Sequence, residues 1–212
     1  MQTFCTPESG AVEVMGKIGK LAVIFCLCVV FLAGCGGGKV PDVVDNPAVA
    51  IGREGEITVW QIGDFDKSYY NLEELDGMAQ QEAAEYNAEA GKEGAVSVEK
   101  VEALEGGRVA VVYQFDGWES CSGFGEENLF FGTVEEAAEK GFDTETEMKN
   151  VKDGSLLDAD LKSAGEYLLV TDMKADIYCS RRVTYISSGA GVHEDGSIRP
   201  SGEEELVYIL MK

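Results

Sequence analysis

The feature that most constrains this chain is an apolar stretch near its start that is too short to span a bilayer. Lys17 and Lys20 precede an unbroken apolar run from Leu21 to Ala33, and Gly34 closes it. A spanning helix needs about twenty such residues, and this run stops well short. A short cationic lead, an apolar centre of this length and a small-residue exit read as a secretory signal. No second apolar run of that length follows. The remainder must therefore bury its hydrophobic residues in a domain of its own.

The run ends on Leu32-Ala33-Gly34-Cys35, which resembles the lipobox of bacterial lipoproteins. In that family the cysteine gains a diacylglyceryl thioether, the preceding segment is removed, and the cysteine becomes the first mature residue. The resemblance implies a signal peptide over 1–34, Cys35 as the lipidation site, and palmitate labelling of the product. Its partner would be the lipid bilayer, and its place the extracytoplasmic face of the cell membrane. One acyl chain holds a protein only marginally, at roughly 0.8 kcal/mol per buried CH₂, whereas two chains anchor it stably. The competing reading is an uncleaved membrane helix with Cys26, Cys28 and Cys35 as ordinary buried residues. Residues 1–14 fit neither reading, because Pro7, Glu8 and Glu13 do not suit the short positive start of a signal. Met15-Gly16-Lys17 makes a better beginning, so 1–14 reads as a mis-called start.

Charge narrows the partners. The chain has 17 basic and 39 acidic residues, a net charge of −22. Removing 1–34 takes away two lysines and two glutamates and leaves that balance unchanged. Nucleic-acid binding needs cationic contacts to phosphates, so no nucleic-acid partner is expected. A flat seat on anionic lipid is equally disfavoured. Self-repulsion favours solubility, and most of these acids read as a solvated face.

After processing, only Cys121 and Cys179 remain. An even pair in an exported domain could form one disulfide, contributing about 3–4 kcal/mol on the chain-entropy model. They could equally be two separate buried thiols. His193 is the only histidine, which leaves no His-rich zinc site. Its setting from Gly191 to Gly196 reads as a hairpin tip rather than part of a Ser-His-Asp site. None of the common catalytic or nucleotide-binding motifs occurs, so no cofactor is expected. Asp64-Phe65-Asp66 and Asp153-Gly154 with Asp158 and Asp160 are carboxylate clusters without EF-hand spacing.

Gly36-Gly37-Gly38 opens a stretch that reads as a flexible tether over 35–55, with a reach near 25 Å if it is a random coil. The domain then occupies 56–212. Glu56–Ile62 has strand character. Asn71 with Glu74 caps a helix whose apolar positions recur at three and four residues, ending at Gly91. Strands follow at Val96–Leu104 and Arg108–Phe115, the latter apolar enough to be central. Residues 116–127 lose periodicity while keeping Trp118, Cys121 and Phe124. With the adjacent pair Arg181 and Arg182, Trp118 and Phe124 make a candidate ligand loop. Leu129–Phe131 reads as a short strand, and Thr133 with Glu136 opens a second helix to Lys140. Phe142–Gly165 is ambiguous, and the C-terminal part is rich in strands, with a buried last one at Glu205–Met211.

The expected architecture is α+β: a single domain with a mixed, mostly antiparallel sheet, two helices on one face and C-terminal β-hairpins. The favoured function is a non-catalytic binding or interaction module, for an envelope protein, cell-wall component or small ligand. One alternative is an envelope hydrolase using paired carboxylates from Asp64, Asp66, Glu119 or Glu126, which would need two acids about 5–10 Å apart. Another is a small solute-binding component of a transporter. The whole chain is similar in layout to small exported lipoproteins of Gram-positive bacteria, a likeness that carries no catalytic residue across.

Overall fold

The computed structural model describes Val40 and residues 44–125, 127–201 and 206–212. The signal, Cys35 and Glu126 lie outside the described residues. Those described belong to one unit, Gly36–Lys212. They are α+β, with four helices and twelve strands.

The strands divide between two sheets. The first has seven, in the order β10 (Ala190–Val192), β11 (Ile198–Pro200), β8 (Asp176–Cys179), β1 (Ala48–Ile51), β2 (Ile57–Asp64), β4 (Arg108–Phe115) and β3 (Val96–Leu104), and is antiparallel except where β1 runs parallel to β8. The second has five, in the order β5 (Leu129–Thr133), β7 (Tyr167–Thr171), β12 (Val207–Met211), β9 (Val183–Ser187) and β6 (Met148–Asn150), all antiparallel. Alternation along each strand decides which layer a side chain joins. On β12 (Val207–Met211), Val207, Ile209 and Met211 enter the same core as Val49, Ile51 and Ile177 of the first sheet. Tyr208 and Leu210 point the other way, into a second core with Phe130, Val134, Ala137 and Leu161. β7 (Tyr167–Thr171) repeats the pattern: Leu169 faces the first core, Leu168 and Val170 the second. The five-stranded sheet is therefore apolar on both faces.

The helices serve different layers rather than sharing one face. α1 (Leu72–Ala90) brings Ala79 and Ala83 into the first core. Asn71 accepts from the Glu73 and Glu74 N–H groups, at 2.9 and 3.2 Å. Gly91, at φ 64°, ends the helix: its N–H reaches the Ala88 carbonyl, and Lys92 N–H reaches that of Asn87. The Asn87 side chain then exchanges two hydrogen bonds with the Val96 backbone, fixing α1 to β3 (Val96–Leu104). α3 (Val134–Glu139) and the single-turn α4 (Leu161–Ala164) cover the second core. Thr133 and Glu136 form the reciprocal cap expected at α3.

The stretch expected to be tether contains a central strand. β1 lies between β8 and β2 (Ile57–Asp64), with Ala48, Val49 and Ile51 buried. Four residues are too few to display a period, so composition alone reads them as linker. A turn at Gly52–Gly55 returns the chain into β2, with Ile51 opposite Ile57. Val40 already packs on Val44, Ala48 and Tyr178 on the outer side of the sheet.

Candidate functional site

The residues of the expected ligand loop pack onto neighbours of their own. Residues 118–124 form a short helix, α2 (Trp118–Phe124), held at its start by the Ser120 hydroxyl bonding Asp116 at 2.6 Å. Phe124 sits among Tyr86, Tyr113 and Phe115, with ring centroids 5.1–5.5 Å away. Trp118 packs edge-on to Phe130 at 5.2 Å and carries Lys140 on its face. Both aromatics are tucked inward. Arg181 lies 3.6 Å over the Tyr167 ring and donates to the Arg53 carbonyl at 3.0 Å. It serves a ring and a carbonyl, while Arg182 is exposed. Trp118, Phe124 and Arg181 thus have separate partners.

The candidate disulfide is likewise absent. Cys121 on α2 and Cys179 on β8 are both free and buried. Each sits in the inter-sheet core as a small hydrophobe. Burial, helped by Glu127 at Cys121, pushes both thiols up to about 12. His193 is exposed in the turn between β10 (Ala190–Val192) and β11 (Ile198–Pro200), as its setting suggested. Asp195 beside it is occupied by the Ser197 hydroxyl and N–H and by the Tyr178 hydroxyl. Those bonds, led by Ser197, hold its carboxyl below the usual value. Its task is to close the hairpin.

The candidate acids fall on two segments, Asp64 at the end of β2 with Asp66 just beyond it, and Glu119 on α2. Glu119 is exposed on α2, and Asp66 pairs with its neighbour Lys67 at 2.8 Å. Asp153 accepts from Ser155, and Asp160 caps α4. Among the described residues no group of three His, Cys, Asp or Glu is placed to hold a metal.

Asp64 leads elsewhere. Between β2 and α1 the chain makes a short loop, and with the first turns of α1 it forms an open cleft of about 420 Å³. Phe65, Tyr70, Leu75 and Val109 give it apolar walls, and Tyr69 and Met78 extend them outward. Phe65 stacks on Tyr70 at 5.1 Å, and Tyr69 meets Tyr70 edge-on at 5.0 Å. Tyr69, Tyr70 and Met78 are 75, 43 and 63% exposed. Three of the five large exposed hydrophobics among the described residues thus line this cleft. Isolated exposed apolar residues are ordinary, whereas contiguous ones mark binding sites.

The fold supports this loop from beneath. Phe65 N–H donates to the Gly107 carbonyl at 2.6 Å, tying it to the turn between β3 and β4 (Arg108–Phe115). Gly107 has φ 71°, and a Cβ there would stand 3.3 Å from Asp66 Cβ. Glycine at 107 thus meets two needs, a left-handed turn and close approach. The sequence signal was three aromatics within residues 65–70, between a strand and a helix cap, with no period to assign them to a core.

A second cleft, of about 390 Å³, is lined by Asn46, Lys174, Asp176 and Arg199 among others. Its Asp176, which is buried, and Arg199, which is exposed, form a two-pronged ion pair with each other.

The chain matches no family model, no curated protein and no solved structure. No helix among the described residues is long and apolar enough to cross a membrane.

Proposed function

We propose that this chain is a lipoprotein held at the extracytoplasmic face of the cell membrane through acylated Cys35, and that its domain is a non-catalytic binding module. The ligand enters the cleft between the β2–α1 loop and α1. The observation that carries this reading is the contiguous, solvent-open aromatic surface of Phe65, Tyr69 and Tyr70 beside Met78. Exposing it costs free energy that a ligand or partner would recover. The anchor reading rests on Leu32-Ala33-Gly34-Cys35 and the short apolar run before it.

The anchor also gains a length. Five peptide links separate Cys35 from Val40, where packing on the domain begins. Fully extended they reach about 18 Å, less than the 25 Å of a twenty-residue coil. The domain works close to the headgroups.

Gly36–Lys212 contains both main cores, so the test uses that soluble unit. Its thermal unfolding is followed against Ca²⁺, muropeptides, sugars, amino acids and organic amines. A ligand at 100 times its dissociation constant stabilises by about 2.7 kcal/mol, a shift of several degrees. The expected shift disappears in Tyr69→Ala/Tyr70→Ala. A shift that survives in that variant would move the site away from this cleft.

A further inference from the structure

The cleft presents apolar and aromatic surface, the hydroxyls of Tyr69 and Tyr70, the Asn71 amide and two carboxylates, so its only charged groups are acids. Asp64 and Glu74 line it, and none of its lining residues is a lysine or arginine. Neither acid forms an ion pair among the described residues. The cations closest in the ladder and loop are committed elsewhere. Arg108, opposite Asp64 in the β2–β4 register, bonds Asp45 and the Glu105 carbonyl. Lys67 is held by Asp66. Asn71, the amide in the lining, has its oxygen occupied by the Glu73 and Glu74 N–H groups. Glu73 and Glu74 in the first turn also offset the positive end of α1.

These groups discriminate among ligand classes. Polyanions are repelled by the rim and by the net charge of −22. A polyol can use the Tyr69 and Tyr70 hydroxyls and the two carboxylates, but it leaves the apolar walls of Leu75, Met78 and Val109 uncovered. An apolar cation gains on every count: ring faces attract it, carboxylates attract it, and its hydrocarbon part covers Leu75 and Met78. We propose that the cleft takes a small organic cation, an alkylated ammonium carried on an apolar body. Its charge is set against Asp64, Glu74 and the tyrosine faces. This deepens the proposed function and rests on the cleft being the ligand site.

The test is calorimetric titration of Gly36–Lys212 with three ligands sharing one ring: benzyltrimethylammonium, benzyl alcohol and benzoate. The cation binds at least about tenfold more tightly than the alcohol, and benzoate most weakly. Asp64→Asn and Glu74→Gln each weaken the cation by up to about fivefold, and the loss shrinks as salt is raised. Tyr70→Leu, which keeps an apolar wall, weakens it by about two- to fivefold. Unchanged melting of each variant shows that it is folded. Equal affinity for cation and alcohol, both lost in Tyr69→Ala/Tyr70→Ala, overturns the cation while leaving the cleft as a ligand site. Benzoate binding as tightly as the cation, or no binding by any of the three, also overturns it. In the last case the broader ligand panel decides separately whether the cleft binds anything.

Discussion

Ile209→Ala and Leu210→Ala should destabilise the domain by similar amounts, although neighbouring residues on a strand face opposite ways. In a sheet with one solvated face, the outward residue would be nearly free to change. Here both are fully buried: Ile209 in the core shared with the seven-stranded sheet, Leu210 in the core under α3 and α4. Truncating a buried Ile or Leu to Ala costs about 2–5 kcal/mol, the upper end applying where the surroundings cannot close in. Leu210 is such a place. A Cβ added at Gly165 would already lie 2.5 Å from Leu210 Cγ, so that wall stands hard against the side chain. For a domain of this size each kcal/mol lowers Tm by about 2–4 °C, which gives a drop of roughly 4–20 °C for each variant. Ser97→Ala, exposed on the edge strand β3, should stay within about 0.5 kcal/mol. Urea unfolding followed by circular dichroism, at unchanged slope, measures all three. A cost below about 1 kcal/mol for Leu210→Ala, beside about 3 or more for Ile209→Ala, would refute the outer layer of α3 and α4.

Native Gly36–Lys212 should leave both thiols unlabelled by a disulfide-exchange reagent at pH 8, since burial raises Cys121 and Cys179 to about 12. Both should react in guanidinium, and reductant should not move Tm; a Cys121–Cys179 linked peptide recovered without reduction would refute the assignment. At α3, the Thr133 N–H and then its hydroxyl hold the Glu136 carboxyl below its ordinary 4.5. A depressed folded value stabilises above the unfolded pKa, and that stabilisation is lost as pH falls through the folded one. Glu136 is largely exposed, so Glu136→Gln should cost only about 0.5 kcal/mol at pH 7, and less at pH 3, by urea unfolding. An equal cost at both pH values would mean that the carboxylate charge plays no part in the cap.

How far this fold could be read in advance depends on how much of each signal is local. The ends of α1 were legible because Asn71 and Gly91 act within a few residues of themselves. β3 and β4 keep the limits their composition suggested, and β4 is paired on both sides as its unbroken apolar run implied. Alternation states that a side chain is buried but not what it is buried against. For that reason the division into two sheets was not legible, nor the placing of α1 and α3 on different layers. The same limit misplaced the candidate site. Trp118 and Phe124 were conspicuous because they break the pattern, yet their partners Phe130, Tyr113 and Phe115 lie on distant strands. Tyr69 and Tyr70 drew no notice beside Asp64 and Asp66, and their loop read as solvated acids. What distinguishes the two segments is support from elsewhere in the chain. α2 is roofed by β4 and β5 (Leu129–Thr133) and closes on itself. The 64–71 loop is held from below by Gly107 and left uncovered above, so its aromatics stay in water. Local rules fail in both places, but only the second leaves a surface with something still to bind.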